Sequence, residues 1–402
     1  MELTLPDAPW REREGLRELT DVLGSGDGDA RYVGGAVRDT LLGLPVSDVD
    51  IATRLPPTQV LERLAAAGVR AVPTGLAHGT VTAVLPSGPV EITTLRRDVA
   101  TDGRHAVVAF SGDWLEDAAR RDFTMNALYA DPSTGRIFDH HHGYPDILAG
   151  RVRFIGDPYR RIAEDHLRIL RFFRFHARFG EEVDADGLDA CAARANDLMA
   201  LSRERIAAEL LKLLVARGAV AVAGLMTDHG ILRAVLPEIA ADGVARLDRL
   251  AAAEAAACVA PDAVRRLAAL VPSEAADDVG ARLKLSTTDR KRLVSATSSV
   301  GGEGPRALAY RIGIPGAVDR LLLAGLPLDD LADWAAPRLP LSGGTLVARG
   351  LSKGPDVART LRALETRWIA DGFPTSLPDA LIDQAVADAM NANAASGDSG
   401  RA

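Results

Sequence analysis

Asp48 and Asp50 stand one residue apart around Val49, and a strand would carry both carboxylates to one face while Val49 turned to the core. Two anions held side by side repel each other unless a cation lies between them. Oxygen donors of this hardness suit Mg²⁺, which keeps several waters and binds through one or two carboxylates plus substrate phosphates. The chemistry they indicate is two-metal phosphoryl transfer. Just upstream, the Gly34-Gly35 turn lets backbone N–H groups approach a triphosphate, because a Cβ would block the approach. The helix that follows adds a favourable dipole, and Arg38 adds a positive charge. Glu91 lies between Val90 and Ile92, so it projects from the face opposite them and can supply a third carboxylate.

Two further groups read as ligand contacts. In Arg120-Arg121-Asp122-Phe123-Thr124-Met125-Asn126, Asp122 can accept from a ribose hydroxyl while Arg121 and Asn126 contact phosphate and sugar, which favours NTP over dNTP. In Glu164-Asp165-His166-Leu167-Arg168, placed on one helix, Asp165 and Arg168 share a face and can address one flat ligand. A carboxylate beside a guanidinium complements the amino donor and ring-nitrogen acceptor of cytosine and adenine, and it mismatches uracil and guanine. Glu164 can hold Arg168 in place. Arg171 continues the same series, and with Arg174 and Arg178 it offers contacts to RNA phosphate. Taken singly, each group has a plainer reading: a surface acid pair, a simple turn, a solvated salt-bridged helix face. Their combination at this spacing points to a site.

The elements that must position these residues can also be read. A helix over Trp10–Leu23 and a glycine loop lead to a strand at Arg31–Val33, a short helix over Ala36–Leu42 and a second strand over Val46–Ala52. Gly79–Leu85 and Pro89–Thr94 alternate as strands around a Ser87-Gly88 turn. From Asp157 onward the pattern is helical, with joints expected at Leu236-Pro237, Ser299–Pro305 and Pro337–Gly344. The fold class is therefore α+β. A mixed head spans residues 1–150, a helical neck 151–240 and a helical body and tail 241–390, with a low-complexity, disordered end at 391–402.

Composition limits the alternatives. The 402-residue chain is 47% hydrophobic and 25% charged, as expected of a globular protein of two or three domains. A net charge of −8 argues against gripping long nucleic acid through bulk positive charge, so RNA contacts must be local. Only Cys191 and Cys258 occur, in no metal-ligand spacing, which fits a reducing cytoplasm. Neither a secretory signal nor an 18-residue apolar run is present, so no membrane role is implied. Nor is DNA, and protein partners cannot be named. His140, His141 and His142 point in different directions and read as a solvated loop rather than a metal site.

The run Val33-Gly34-Gly35-Ala36-Val37-Arg38-Asp39 with Ser47-Asp48-Val49-Asp50-Ile51-Ala52-Thr53 resembles the first motif of class II tRNA nucleotidyltransferases. That family is shared with bacterial poly(A) polymerases, within the polymerase-β-like superfamily. Arg120–Leu128 resembles its second motif, Asp139, Gly143, Asp146 and Arg153 its hinge motif, and Glu164–Arg168 its EDxxR motif. Leu201–Ile206 resembles a fifth motif that braces the neck, with Ser202 as N-cap. The resemblance is firm over Tyr32–Leu214. It implies a polymerase-β-like head, metal binding by Asp48 and Asp50 with Glu91 as third acid, and addition of C, C and A to tRNA from CTP and ATP. A poly(A) polymerase, an enzyme adding only CC or only A, a small-molecule nucleotidyltransferase and a non-catalytic tRNA binder are the rivals. The difference between full and partial addition falls in the loop Thr101–Gly112 with Asp102-Gly103-Arg104.

Overall fold

In a computed structural model the backbone is described for residues 3–102 and 105–398. The N-terminal segment is not one helix. Pro9–Glu12 forms a 3₁₀ turn, the chain breaks at Gly15, and α1 spans Leu16–Val22. Next come β1 (Ala30–Val33), α2 (Gly35–Leu41), β2 (Asp50–Thr53) and α3 (Pro57–Ala66). The strand expected from Val46 begins only at Asp50, because the short span after α2 is used to bring the chain back to the sheet. Asp48 therefore precedes the strand.

β3 (Arg70–Gly75), β4 (Thr80–Leu85) and β5 (Gly88–Thr94) follow, then a separate hairpin of β6 (Arg96–Asp102) and β7 (His105–Phe110). Gly103 and Arg104, part of the loop Thr101–Gly112 in which the difference between full and partial addition was expected to lie, fall outside the described residues. The β4–β5 turn is Pro86-Ser87, with Leu85 facing Gly88, one residue earlier than expected. After α4 (Trp114–Ala119) come β8 (Leu128–Ala130) and β9 (Ile137–Asp139). The sheet order is β3-β4-β5-β2-β1-β8-β9, and only β2 and β5 among its neighbours run parallel.

Alternation along β2 sends Ile51 to the core that packs Leu16, Leu19, Val60 and Leu64. Ala52 goes to the opposite face, with Val33, Leu95, Trp114 and Tyr129. Asp50 shares that second face by period two.

The rest is helical: α5 (Gly143–Leu148), α6 (Pro158–Glu164), α7 (Leu167–Phe179), α8 (Ala185–Ala193), α9 (Arg203–Leu214), α10 (Ala219–Asp228), α11 (Ile231–Val235), α12 (Ala241–Ala256) and α13 (Ala263–Leu270). Further helices run from Ala276–Arg282 to Asp379–Asp398. The end expected to be disordered is helical backbone as far as Asp398, in keeping with its alanine content. Breaks fall at the expected joints, after Val235, before Pro305 and before Gly343.

Head and neck share one interior. Phe123 contacts Phe154 and Phe175 at ring-centroid distances of 5.0 and 5.3 Å, and Phe154 stacks on Phe172 at 5.6 Å. One buried cluster extends from Leu5 to Leu322 without a break at 150 or 240, and a second gathers around Trp368. Burying aromatics of this size contributes roughly 1.5–3 kcal/mol each, enough to fix the head against α7. Among the described residues no helix is long and apolar enough to cross a membrane.

Candidate active site

The acids lie around the start of β2. Asp50 is paired in register with Glu91 on parallel β5 and with Val33 on β1. The Glu91 N–H donates to the carbonyl of Val49 at 3.3 Å, which ties the third acid to the Asp48–Asp50 segment. Val90, Ile92 and Val49 are buried while Glu91 and Asp48 are exposed, so alternation turns the carboxylates out and the apolar neighbours in. Asp48 accepts from Ser47 Oγ at 2.8 Å. Burial, then the neighbouring Glu91 and Asp48, push the Asp50 carboxyl up to about 6 against the opposing pull of Arg121.

Gly34 closes β1 with φ of 68° and ψ of −122°, a conformation that L side chains avoid. It brings the turn against Arg121 and Asn126, with an ideal Cβ only 3.7 Å from Arg121 Nη1 and from the Asn126 carbonyl. Gly35 starts α2 directly after it. The first and second sequence groups are thus joined at one turn.

Behind the turn lies a chain of hydrogen bonds. Arg38 Nη1 donates to Asn126 Oδ1 at 2.5 Å, and Asn126 Nδ2 donates to Asp122 Oδ1 at 3.0 Å. Arg171 grips Asp122 Oδ2 through both Nε, at 2.9 Å, and Nη2. Burial alone would raise the Asp122 carboxyl, but Arg171, Asn126 and the Phe123 N–H outweigh it and hold it well below the usual range. Arg38, expected to offer its charge to a triphosphate, is enclosed by the protein. It is 5% exposed, pairs with Asp39 at 2.7 Å and lies 4.4 Å over the Phe179 ring. Arg121 likewise pairs with Asp117 at 3.0 Å, and Asp117 also accepts from Arg120 and from the Tyr129 hydroxyl at 2.7 Å.

The Glu164–Arg168 segment is not one helix. α6 ends at Glu164, Asp165 is extended at φ of −152°, and α7 begins at Leu167. Asp165 and Arg168 therefore meet across a helix–helix corner rather than along a face, and the Asp165 carboxylate accepts the Leu167 N–H at 3.1 Å. Glu164 does hold Arg168, accepting from Nη1 at 2.7 Å, while Arg168 also donates to the carbonyl of Arg161. Arg205 from α9 donates to both oxygens of Asp165 at 3.2 and 3.0 Å. Ser202 precedes α9 without a side-chain cap bond, so the brace is Arg205 rather than that serine.

Arg174 and Arg178, expected at RNA phosphate, are taken by Glu209 at 2.5 Å and Asp39 at 3.2 Å.

Asp117, Arg161 and Arg205 were missed as site residues. Arg161 is 7% exposed; it reaches Glu164 through Nη1 and the carbonyls of Arg120 and Arg121 through Nη2, so it clips neck to head. The signals were present as i to i+3 and i+4 pairs, Arg161 with Glu164 and Asp117 with Arg120 and Arg121.

At the hinge, Asp139 accepts the N–H groups of Gly143 and Tyr144 at 2.8 and 2.9 Å, and Asp146 accepts Thr124 Oγ1 at 2.6 Å and Arg153 Nε at 2.9 Å. A Cβ on Gly143 would lie 2.2 Å from the Thr124 carbonyl oxygen, so only glycine permits this approach.

A mixed-sheet head with paired strand acids, a glycine turn and a helical neck defines a nucleotidyltransferase of the polymerase-β-like class. Residues 30–153 match the family model described as poly A polymerase head domain, and residues 182–242 match the probable RNA and SrmB-binding site of polymerase A. The chain is 36% identical to the mitochondrial CCA tRNA nucleotidyltransferase 1 of Mus musculus, covering 93% of this chain and 90% of the relative. The Homo sapiens counterpart is 35% identical with the same coverage. The solved CCA-adding enzyme of Bacillus stearothermophilus in complex with CTP superposes with a TM-score of 0.76 at 25% identity, over 98% of this chain and 100% of that one. The chain belongs to the family of CCA-adding tRNA nucleotidyltransferases.

Enzymes of this class generally use a divalent metal. The donors here fit one: hard oxygens only, with Asp50 raised first by burial and then by its acidic neighbours, an arrangement that a cation would relieve. Among the described residues no three His, Cys or acidic side chains form a ready-made cage. An open set of this kind suits a cation that completes its shell with water and substrate phosphates.

Proposed function

We propose that this enzyme adds C, C and A to the 3′ end of tRNA from CTP and ATP, with Asp48, Asp50 and Glu91 holding Mg²⁺. The 3′-hydroxyl of the RNA attacks the α-phosphorus of the nucleotide, the bond to the β-phosphate oxygen breaks, and pyrophosphate leaves. When bound, the divalent cation supplies Lewis-acid stabilisation of the charge on the transferring phosphoryl group.

The protein's own residues do the rest. The N–H groups at Gly34 and Gly35 face the triphosphate, and Arg121 adds charge beside them. Asp122 and Asn126, fixed by Arg171 and Arg38, present a preset edge to the ribose. Asp165 accepts the amino group of cytosine or adenine while Arg168 donates to the ring nitrogen. Arg205 and Glu164 keep that pair in its alignment.

The observation that carries this reading is the pairing of Asp50 with Glu91 in register, beside a turn that touches the Asp122–Asn126 network. Two cysteines, both free, support a cytoplasmic setting. The test is incorporation of labelled CTP and ATP into tRNA lacking its 3′ end. Three added residues are expected, in the order C, C, A.

The description of the matched head model favours one second reading, a poly(A) polymerase. Long A-only products would establish it instead.

A further inference from the structure

A cavity of about 430 Å³ lies between the N-terminal segment 11–21 and the β8–β9 turn at Pro132 and Ser133. Volumes of this order take small molecules. Tyr32 lines the cavity from β1. It stands opposite Ile51 in register while Val33 stands opposite Asp50, so alternation places it on the sheet face away from the acids. Tyr32 is 2% exposed, Trp10 packs edge-on against its ring at 4.8 Å, and burial pushes its hydroxyl up to about 12, which keeps it a neutral donor. That hydroxyl has no hydrogen-bond partner among the described residues. An enclosed tyrosine hydroxyl usually finds one, and the cavity is where a ligand could supply it.

Charges of both signs surround it. The Arg11 guanidinium and the Glu12 and Asp21 carboxylates are the groups whose charge acts on the Tyr32 hydroxyl. Three arginines and four carboxylates line the cavity in all, and none pairs with another among the described residues. Arg11 reaches instead the Pro132 carbonyl at 3.4 Å and the solvent-exposed Asp7 at 3.5 Å, contacts too long and too wet to spend its charge. The balance of charge selects the ligand. Polyphosphates and RNA need an excess of positive groups, which this lining lacks, and its arginines repel a bare metal cation. A small molecule carrying both signs satisfies both sets.

We propose that this cavity binds a free α-amino acid, its carboxylate held by Arg11 and the Tyr32 hydroxyl and its ammonium group by Glu12 and Asp21. The site is separate from the catalytic acids and does not depend on which nucleotides the enzyme adds.

The test is calorimetric titration of the full-length protein with L-glutamine and with L-serine, with acetate and ethylamine as single-charge controls, in the presence and absence of CTP. Saturable binding of at least one of the two amino acids is expected, with a Kd on the order of 1 mM or below and with acetate and ethylamine weaker by about ten-fold or more. Tyr32→Phe and Arg11→Gln should each weaken that binding about ten-fold, and Arg11→Lys should recover most of the loss. Glu12→Gln/Asp21→Asn should weaken it to the level of acetate. Should Tyr32→Phe fail to fold, Arg11→Gln decides the matter. No saturable heat with either amino acid would overturn the proposal, and so would full affinity retained in Tyr32→Phe and Arg11→Gln. Acetate or ethylamine binding as tightly as the amino acids would assign the cavity to a simple ion instead. Displacement by CTP would place the amino acid at the catalytic site and equally refute the separate cavity.

Discussion

In the body, Glu254, Asp262 and Asp319 are matched by Arg265, Arg266 and Arg292, three acids against three guanidinium groups. At the start of β2, in the middle of the head sheet, Asp48, Asp50 and Glu91 form no ion pair among the described residues, and Asp50 is pushed up to about 6 by burial and by the other two. Glu254 and Asp319 are each 1% exposed, so their charge had to be cancelled inside the protein for the helices to pack. The head acids stay near solvent and uncancelled. Matched charge holds the body together, and unmatched charge at the start of a central strand is what a cation site needs.

The largest effect that sharpens this contrast is on turnover. Asp50→Asn should lower nucleotide incorporation by on the order of 10³-fold or more, measured as single-turnover addition of labelled CTP. The same variant should unfold at an equal or higher temperature, since it removes a carboxyl that folding disfavours in its charged form. Glu254→Ala should do the reverse. It leaves Arg266 buried without its carboxylate and Arg265 with Asp319 alone, and should cost roughly 3–5 kcal/mol in a denaturant titration, with little change in KM for CTP.

Smaller again is Arg168→Ala, which should let UTP or GTP compete within about ten- to a hundred-fold of CTP and ATP, read as misincorporation, with tRNA affinity nearly unchanged.

The smallest effect is a pH dependence. Asp117 is buried, which alone would raise its carboxyl, but Arg121, Arg120 and Tyr129 bring it down to about 2. Its folded value is depressed from 3.8, so the stabilisation is present above about pH 4 and is lost as pH falls through 2. The difference amounts to about 2 kcal/mol. Asp117→Asn should flatten the fall in melting temperature over that window.

The same contrast explains what the sequence could tell. The outward direction of Glu91 was legible because strand alternation is local: Val90 and Ile92 announce which way their neighbour faces, whereas its register opposite Asp50 is found only by folding. The start of β2 at Asp50 rather than Val46 was not, since it depends on where the loop from α2 rejoins the sheet. Arg38 and Arg171 were read as ligand contacts because a lone arginine in sequence looks free. Their partners, Asn126 and Asp122, lie 88 and 49 residues away and are found only by folding. The helix break at Asp165 was hidden by the continuous charge pattern from Glu164 to Arg171, and the Arg205 contact that fixes Asp165 spans 40 residues. The helical character of the body was legible from its pattern, but the balance of Glu254 and Asp319 against three arginines was not.

The unmatched acids of the head should hold a divalent cation. Mn²⁺ binding followed by electron paramagnetic resonance, with CTP present, tests it directly in the unmodified protein and in Asp48→Asn/Asp50→Asn. Saturable Mn²⁺ binding that disappears in the double variant is the predicted result. Equal binding by both proteins would contradict the account.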